Sequence, residues 1–307
     1  KTRKRKRKKL PQKKHRSKRK NPLPLRLKQA SVRVKVDPAR KINILTGIYP
    51  LTLKDIIYII ESAAPLSYQE QWDNSGMQVG DPGADIRAAL LTTDITEAVV
   101  SEAIDKGCNL IISHHPLLFH GLKHICGLTP QERCVALAIR HGIAIYSSHT
   151  AMDACLNGVS GRMADTLGVK DYRILVPAAQ GAEYGLGVIG MLPEPVPYAD
   201  FLNRIKERFG AQYVRYTLSL ADTVQRIAMC GGAGAEFMEE AIRQNADVYL
   251  TADCKYHEMQ AAAGRIALVD IDHWVSEHFT RNIFRELLGN TIPTYISSAD
   301  QTPVHVL

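Results

Sequence analysis

The feature that most constrains this chain is a segment that recurs within it. Glu102-Ala103-Ile104, a short spacer and Leu110-Ile111-Ile112-Ser113 return with the same spacing as Glu240-Ala241-Ile242 and Val248-Tyr249-Leu250-Thr251. Each copy reads as a helix feeding a short apolar strand that ends on a hydroxyl side chain. A unit of that kind buries both faces only when others pack beside it, so repetition predicts two similar α/β lobes. A second correspondence sharpens the first. Ile143-Ala144-Ile145 leads to His149-x-x-x-Asp153, and Ile266-Ala267-Leu268 leads to His273-x-x-x-Glu277.

Local signals agree with alternating strands and helices. Thr52 and Asp55 form a capping box ahead of Ile56, Ile57, Ile59 and Ile60, and Pro65 stops that helix. Beyond the turn-rich Trp72-Asp73-Asn74-Ser75-Gly76, the pattern predicts a strand over 88–93, a helix over 96–106 and a strand over 109–113. Thr129-Pro130 with Glu132 opens a further helix that ends at Gly142, and residues 143–147 are again a strand. Alternation of this kind implies mostly parallel sheets, with chemistry at the carboxyl ends of the strands. The expected division is a basic tail over 1–45, a first lobe over 46–170 completed by 280–307, and a second lobe over 171–279.

Charge separates the tail from the rest. Residues 1–41 hold 20 of the 39 Lys+Arg and one of the 31 Asp+Glu, leaving 19 basic and 30 acidic side chains, a net of −11, on the remainder. The basic run has almost nothing to bury and is expected to be disordered. It is suited to nucleic acid or to service as a nuclear address, or it is a fragment of upstream sequence, since the first Met is Met77. No apolar run approaches the about eighteen residues of a membrane helix. The six cysteines show no C-x-x-C spacing, so a reducing, cytoplasmic setting is expected rather than a disulfide framework.

The histidines carry the chemistry. Residues i and i+4 share one helix face and can grip one ion. Adjacent His114-His115 at a strand end, followed by Pro116, are a poor choice for a core. Together His114, His115, His149, His273, Asp153 and Glu277 offer more donors than one four-coordinate ion uses, which fits two divalent transition-metal ions, Zn, Fe, Mn, Co or Ni, in one dinuclear site between the lobes. His15, His120, His124, His141, His278 and His305 read as ordinary surface histidines.

These residues resemble a known family. Ser113-His114-His115-Pro116, Ser148-His149-Thr150-Ala151-Met152-Asp153 and Asp272-His273-Trp274-Val275-Ser276-Glu277 look like the metal motifs of the Nif-three-like proteins, often named type-two GTP cyclohydrolase I homologues in bacteria. Trp72 through Asp81 is similar to the family's amino-terminal signature, and Thr251-Ala252-Asp253-Cys254-Lys255-Tyr256-His257 to its second-lobe motif, with Ala252 where Gly is usual. The resemblance covers residues 51–307 and implies a dinuclear metal site between two lobes in a ring-shaped homo-oligomer, often a hexamer. It implies His114, His115, Asp153, His273 and Glu277 as metal ligands, with His149 a ligand or a neighbour of the ligands.

The expected activity follows from that centre. Hydroxide bridging two ions attacks C–N, amide or phosphoester bonds, and the family name implies opening of the guanine ring of GTP, so the substrate class is a nucleotide or related heterocycle. His149 and His257 are the candidate proton carriers; His257 paired locally with a carboxylate is the alternative. Gly231, Gly232 and Gly234 are candidates to present backbone N–H groups to a phosphate, and they suit a tight strand-to-helix turn equally well. The competing class is a non-enzymatic metal-binding ring with a regulatory or partner-binding role, distinguished by a closed coordination shell.

Overall fold

The protein is described by a computed structural model over residues 50–307. The basic tail expected over 1–45 lies outside the described residues. Helix α1 (Leu53–Ala63) begins at the expected capping box: the Asp55 carboxylate accepts the Thr52 N–H at 3.0 Å and the Thr52 hydroxyl at 2.6 Å. A one-turn 3₁₀ helix (Leu66–Tyr68) and strand β1 (Gly76–Val79) follow. Strand β2 (Ala89–Thr92), helix α2 (Glu97–Asp105), strand β3 (Leu110–Ser113), helix α3 (Pro130–Arg140) and strand β4 (Ala144–Ser147) then alternate. The hydroxyls of Thr96 and Thr129 cap α2 and α3 by accepting the N–H groups of Val99 and Glu132.

The first sheet has the order β1-β4-β3-β2-β11, where β11 (Thr294–Ile296) is the last strand. β4, β3, β2 and β11 run parallel, and β1 pairs antiparallel with β4. Its central strands are buried on both faces, and their period of two divides them between two cores. Leu91, Leu110, Ile112 and Tyr146 pack with Ile56 and Ile60 of α1 and with Phe284 of helix α10 (Thr280–Leu288). Leu90, Ile111 and Ile145 pack on the other face with Val99 and Ala103 of α2 and Val135 and Ala138 of α3.

After β4 come a short helix α4 (Thr150–Asp153) and helix α5 (Val159–Leu167). The second sheet follows, with strands β5 (Lys170–Pro177), β6 (Gly185–Pro197), β7 (Arg215–Tyr216), β8 (Thr223–Ala233), β9 (Val248–Ala252) and β10 (Ala267–Ile271) in the order β5-β6-β8-β9-β10-β7. Helices α6 (Tyr198–Phe209), α7 (Met238–Arg243), α8 (Tyr256–Ala262) and α9 (His273–Glu277) complete it. The same alternation recurs: Ile227, Leu250 and Val269 face Met163 of α5 and Phe201 of α6, whereas Ala228, Tyr249 and Leu268 face Met238 and Ala241 of α7. The two copies of the sequence repeat become α2–β3 and α7–β9, each ending on a strand inside its sheet. Val159 packs in the first sheet's core and Met163, one turn later, in the second's, so α5 joins the two.

The expectation of mostly parallel sheets holds for the first sheet and is corrected for the second. β8, β9 and β10 are parallel, but β5, β6 and β7 pair antiparallel. For β5 and β6 the physical reason is the connection. β5 returns through a short loop straight into β6, and a loop without a crossover helix can join only antiparallel neighbours.

Phe284 is fully buried between α1 and the first sheet although it lies far along the chain. Phe284→Ala should therefore cost about 3–5 kcal/mol in urea unfolding of the full chain. A loss below about 1 kcal/mol would show that α10 is not part of this core.

Candidate metal centre

Every imidazole at the centre is held by the nitrogen that faces away from it. His114, fully buried at the end of β3, has Nδ1 3.1 Å from the carbonyl oxygen of Ser148. His115 has Nδ1 2.8 Å from Oδ1 of Asp94, just past β2. His149, immediately before α4, has Nδ1 2.8 Å from Oδ1 of Asp73, and His273, opening α9, has Nδ1 2.7 Å from Oδ2 of Asp253. A carbonyl or an ionised carboxylate only accepts, so each Nδ1 carries the proton and donates it. Whenever the ring is neutral, its Nε2 is left with a lone pair. This is the arrangement that orients metal-binding histidines.

The four Nε2 atoms converge on two carboxylates. His114 Nε2 lies 3.7 Å from Oδ1 of Asp153 and 3.7 Å from Oε1 of Glu277. On the other oxygen of the same carboxylate, Oε2 of Glu277 is 2.9 Å from His115 Nε2 and 3.0 Å from His273 Nε2. Three groups of donors result, each within 4.8 Å: His114, His115 and His149; His115, His273 and Glu277; and His114, Asp153 and Glu277. Two donors about 2.0–2.2 Å from one ion at tetrahedral angles stand roughly 3.3–3.6 Å apart, which the observed spacings bracket. His114 Nε2, Asp153 Oδ1 and Glu277 Oε2 are buried and make no hydrogen bond within the protein. Buried polar atoms are rarely left so. The residues fit a divalent transition metal, and the chemistry of the donors, imidazole and carboxylate without thiolate, agrees.

Electrostatics tell the same story from the side of the protons. Burial raises the Asp153 carboxyl, and the negative Glu277 beside it adds to the effect against the pull of His114, so it titrates at about 7. Burial works against a charge on His273 too, but Glu277 and Asp253 on either side of the ring outweigh it and hold the imidazolium up to about 9. His115 is raised well above the ordinary value against its burial, by Asp94 and Glu277. Glu277 is drawn well below the carboxylate range by the surrounding imidazoles, although its own burial opposes this. Protons on the imidazoles thus balance the buried carboxylates when no cation does.

The glycines of 231–234 do something other than the expectation that they hold a phosphate. Gly231 and Gly232 lie in the last residues of β8, Gly234 caps a 3₁₀ turn over Ala235–Phe237, and α7 starts only after that turn. The Gly231 N–H donates to the Ser160 hydroxyl at 3.2 Å and the Gly232 N–H to the Ser276 hydroxyl at 2.8 Å, so neither is left for a ligand. A Cβ on Gly232, which has φ +65°, would stand 2.1 Å from Oε1 of Glu277. The glycine is there to let the carboxylate approach the strand. His257 is exposed on α8 with Nδ1 3.3 Å from the Gln260 amide oxygen, and it belongs to none of the three donor groups.

Sequence reasoning missed the acceptors. Asp73 accepts five bonds at once, from His149 Nδ1, the Asn74 N–H, the Ser75 hydroxyl and both the N–H and hydroxyl of Thr150. The turn Trp72-Asp73-Asn74-Ser75-Gly76 is therefore built around a carboxylate that fixes His149. Asp253 adopts φ +57°, which brings its carboxylate over His273. The available signal was position: Asp94 and Asp253 each follow a strand end beside the histidines.

The chain belongs to the Duf34/NIF3 (NGG1p interacting factor 3) family, whose profile matches residues 51–303. A Clostridium acetobutylicum protein named GTP cyclohydrolase 1 type 2 homolog is 33% identical over 229 residues, 74% of this chain and 85% of the relative. A Streptococcus pneumoniae protein of the same name is 31% identical over 263 residues, 82% and 98%. The Schizosaccharomyces pombe protein NIF3 homolog is 31% identical over 218 residues, 67% and 77%. Among solved structures, a Bacillus cereus protein related to NIF3 superposes with a TM-score of 0.78 at 22% identity, covering 84% of this chain and 100% of that one, and supports the fold. A Staphylococcus aureus protein superposes equally well, with a TM-score of 0.78 at 26% identity over 84% of this chain and 100% of its own.

Two outcomes follow from this geometry. His273 titrates at about 9 against an ordinary 6.5, so the stability it lends the chelated protein is complete below about 6.5 and is lost as pH rises through about 9. Asp153, raised to about 7 from 3.8, favours the folded state in its protonated form and loses that contribution over the rise to about 7. Both act in one direction. The gain in melting temperature on adding zinc to chelated protein should accordingly be larger at pH 8.5 than at pH 6, and a gain that shrinks with pH would refute the assignment. Gly232→Ala should weaken zinc binding at least about tenfold by displacing Glu277, measured by competition with a chromophoric chelator; unchanged affinity would show the close approach to be unimportant.

Proposed function

We propose that the centre binds two divalent transition-metal ions and that the protein is a dinuclear metal-dependent hydrolase acting on a nucleotide or related heterocycle. The observation that carries this reading is the Glu277 carboxylate, whose Oε1 faces His114 and whose Oε2 faces His115 and His273. A carboxylate used on both oxygens by different imidazoles suits two adjacent cations rather than one. His114, Asp153 and Glu277 Oε1 would hold one; His115, His273 and Glu277 Oε2 would hold the other.

Ions of this kind, when bound, supply a water of lowered pKa and polarise an electrophile. The chain's own part is orientation and proton handling. Asp94, Asp253 and the Ser148 carbonyl fix the imidazoles through Nδ1, which keeps each Nε2 basic and correctly aimed. His149 is held by Asp73 at 2.8 Å and is partly open to solvent, so it is the residue we assign to carry a proton to or from the reacting bond. Access to solvent at His149 and His273 favours an open coordination shell over a closed structural one.

The same reading includes a ring-shaped homo-oligomer, with a hexamer as the expected size. Phe119, Ile125 and Leu128 expose apolar side chains along one segment, which supports contact between copies. No helix among the described residues is long and apolar enough to cross a membrane, and the six cysteines are free thiols, as suits the cytoplasm. The acidic body offers nucleic acid little, so any such binding would fall to the basic tail.

Elemental analysis of reconstituted full-length protein should find two ions per chain, and His273→Ala should lose most of one while unfolding normally. Glu277→Gln should lower turnover of a nucleotide by about 100-fold or more with little change in KM. Reconstituted protein that holds both ions and turns over no nucleotide in a broad screen would favour the non-enzymatic, partner-binding ring.

A further inference from the structure

One open cavity among the described residues is not part of the metal centre but lies against it. It has a volume of about 350 Å³, and its walls include Tyr68, Glu70, Trp72, Tyr184, Glu236 and Phe237. Three contacts tie it to the centre. The Trp72 ring stands edge-on to that of His149 with centroids 5.9 Å apart. Ala154, which also lines the cavity, follows Asp153 directly. The Glu70 N–H donates to the Thr150 hydroxyl on α4, the helix that ends at Asp153.

The lining is unusual in two respects. It is aromatic, and Tyr68 and Tyr184 are stacked with centroids 3.9 Å apart and planes inclined by 1°, joining the 3₁₀ turn after α1 to the loop before β6. Stacked and tilted rings of this kind favour flat π-systems. It is also negative: Glu70 and Glu236 line it, and no Lys, Arg or His does. Neither carboxylate has a hydrogen-bond or ion-pair partner among the described residues, so both are free to accept from a ligand. An anionic wall repels phosphate and attracts N–H donors.

We propose that this cavity is a binding site for a planar nitrogen heterocycle presenting N–H donors, the ring of a nucleobase or a related compound, bound by stacking and by the two glutamates. A cavity of this volume lies within the range of small-ligand pockets. A base whose ring carries two adjacent N–H groups, as the guanine edge does, fits a carboxylate by parallel hydrogen bonds. Any phosphate on such a ligand lies outside this cavity. The assignment deepens the hydrolytic reading by placing the ring beside the ions, and it rests on that reading only for which bond would react.

The test is equilibrium binding of guanosine, inosine and 1-methylguanosine to zinc-loaded full-length protein, read by calorimetry and by quenching of Trp72 emission. Trp72→Phe, in which only Trp274 emits, serves as the control. Guanosine should bind at micromolar to low-millimolar concentration and quench Trp72. Removing one N–H or the amino group, as in the two analogues, should weaken it about tenfold. Tyr184→Ala and, separately, Glu70→Gln with Glu236→Gln should each weaken guanosine at least tenfold with zinc content unchanged. No binding of any of the three nucleosides at 5 mM (an upper limit set by about 3 kcal/mol of affinity), or affinity unmoved in both variants, would overturn the assignment. Nucleotide turnover measured on the same samples separates the two ideas. Binding without turnover leaves the cavity standing and removes the hydrolytic reading, whereas turnover with a KM untouched by Tyr184→Ala and by the double glutamate variant removes the cavity and leaves the hydrolytic reading.

Discussion

The contact on which this structure turns is the Glu277 carboxylate, 3% exposed, with imidazole nitrogens on both oxygens. A carboxylate so far from water is expensive to keep ionised unless positive charge lies beside it. In the protein alone that charge comes from imidazolium rings, which is why His115 and His273 are raised while Glu277 is lowered. A divalent cation supplies it better, because it leaves the imidazoles neutral and uses their lone pairs. Much around Glu277 serves to bring it there: Gly232 removes the side chain that would block it, and Ser276 both ties down the Gly232 N–H and bonds back to the His273 carbonyl.

The architecture explains why the donors meet. His114 and His115 end β3 and His149 follows β4, both in the first sheet, whereas His273 and Glu277 follow β10 of the second. The first sheet's donors sit at the carboxyl ends of two adjacent parallel strands and the second sheet's at the carboxyl end of one, where side chains are free of the ladder. Asp300 ties the two regions from behind, accepting the Thr93 N–H at 2.6 Å and the Trp274 indole N–H at 2.8 Å, next to Asp94 and His273 respectively. The segment that carries Asp300 is itself gripped by Glu102, which accepts from Ser297, Ser298 and Ala299. The end of the chain therefore braces the geometry of residues that lie far from it in sequence.

Much of this was legible in the residues. The capping box at Thr52, the caps at Thr96 and Thr129 and the apolar strands of the first sheet are local signals, and local physics decides them. The repeat predicted two sheets of related construction, and the paired His-x-x-x-carboxylate motifs named the donors that the structure brings within reach of one another. What escaped was non-local. Asp73 reaches His149 across 76 positions, and no spacing rule connects a turn to a distant imidazole. The antiparallel pairing of β5 with β6 depends on a loop that lacks a helix, which alternation elsewhere in the chain does not foretell. The glycines at 231–234 show a different limit: close approach by a phosphate and close approach by a carboxylate demand the same residue, and only the neighbour distinguishes them.

The central claim is that Glu277 and the oriented imidazoles hold two ions side by side. X-ray absorption at the metal edge of reconstituted protein tests it most directly. The account predicts a first shell of nitrogen and oxygen only, with imidazole scattering, and a metal–metal distance of about 3.5–4 Å. A sulfur shell, or the absence of any metal–metal vector at full loading, would contradict it.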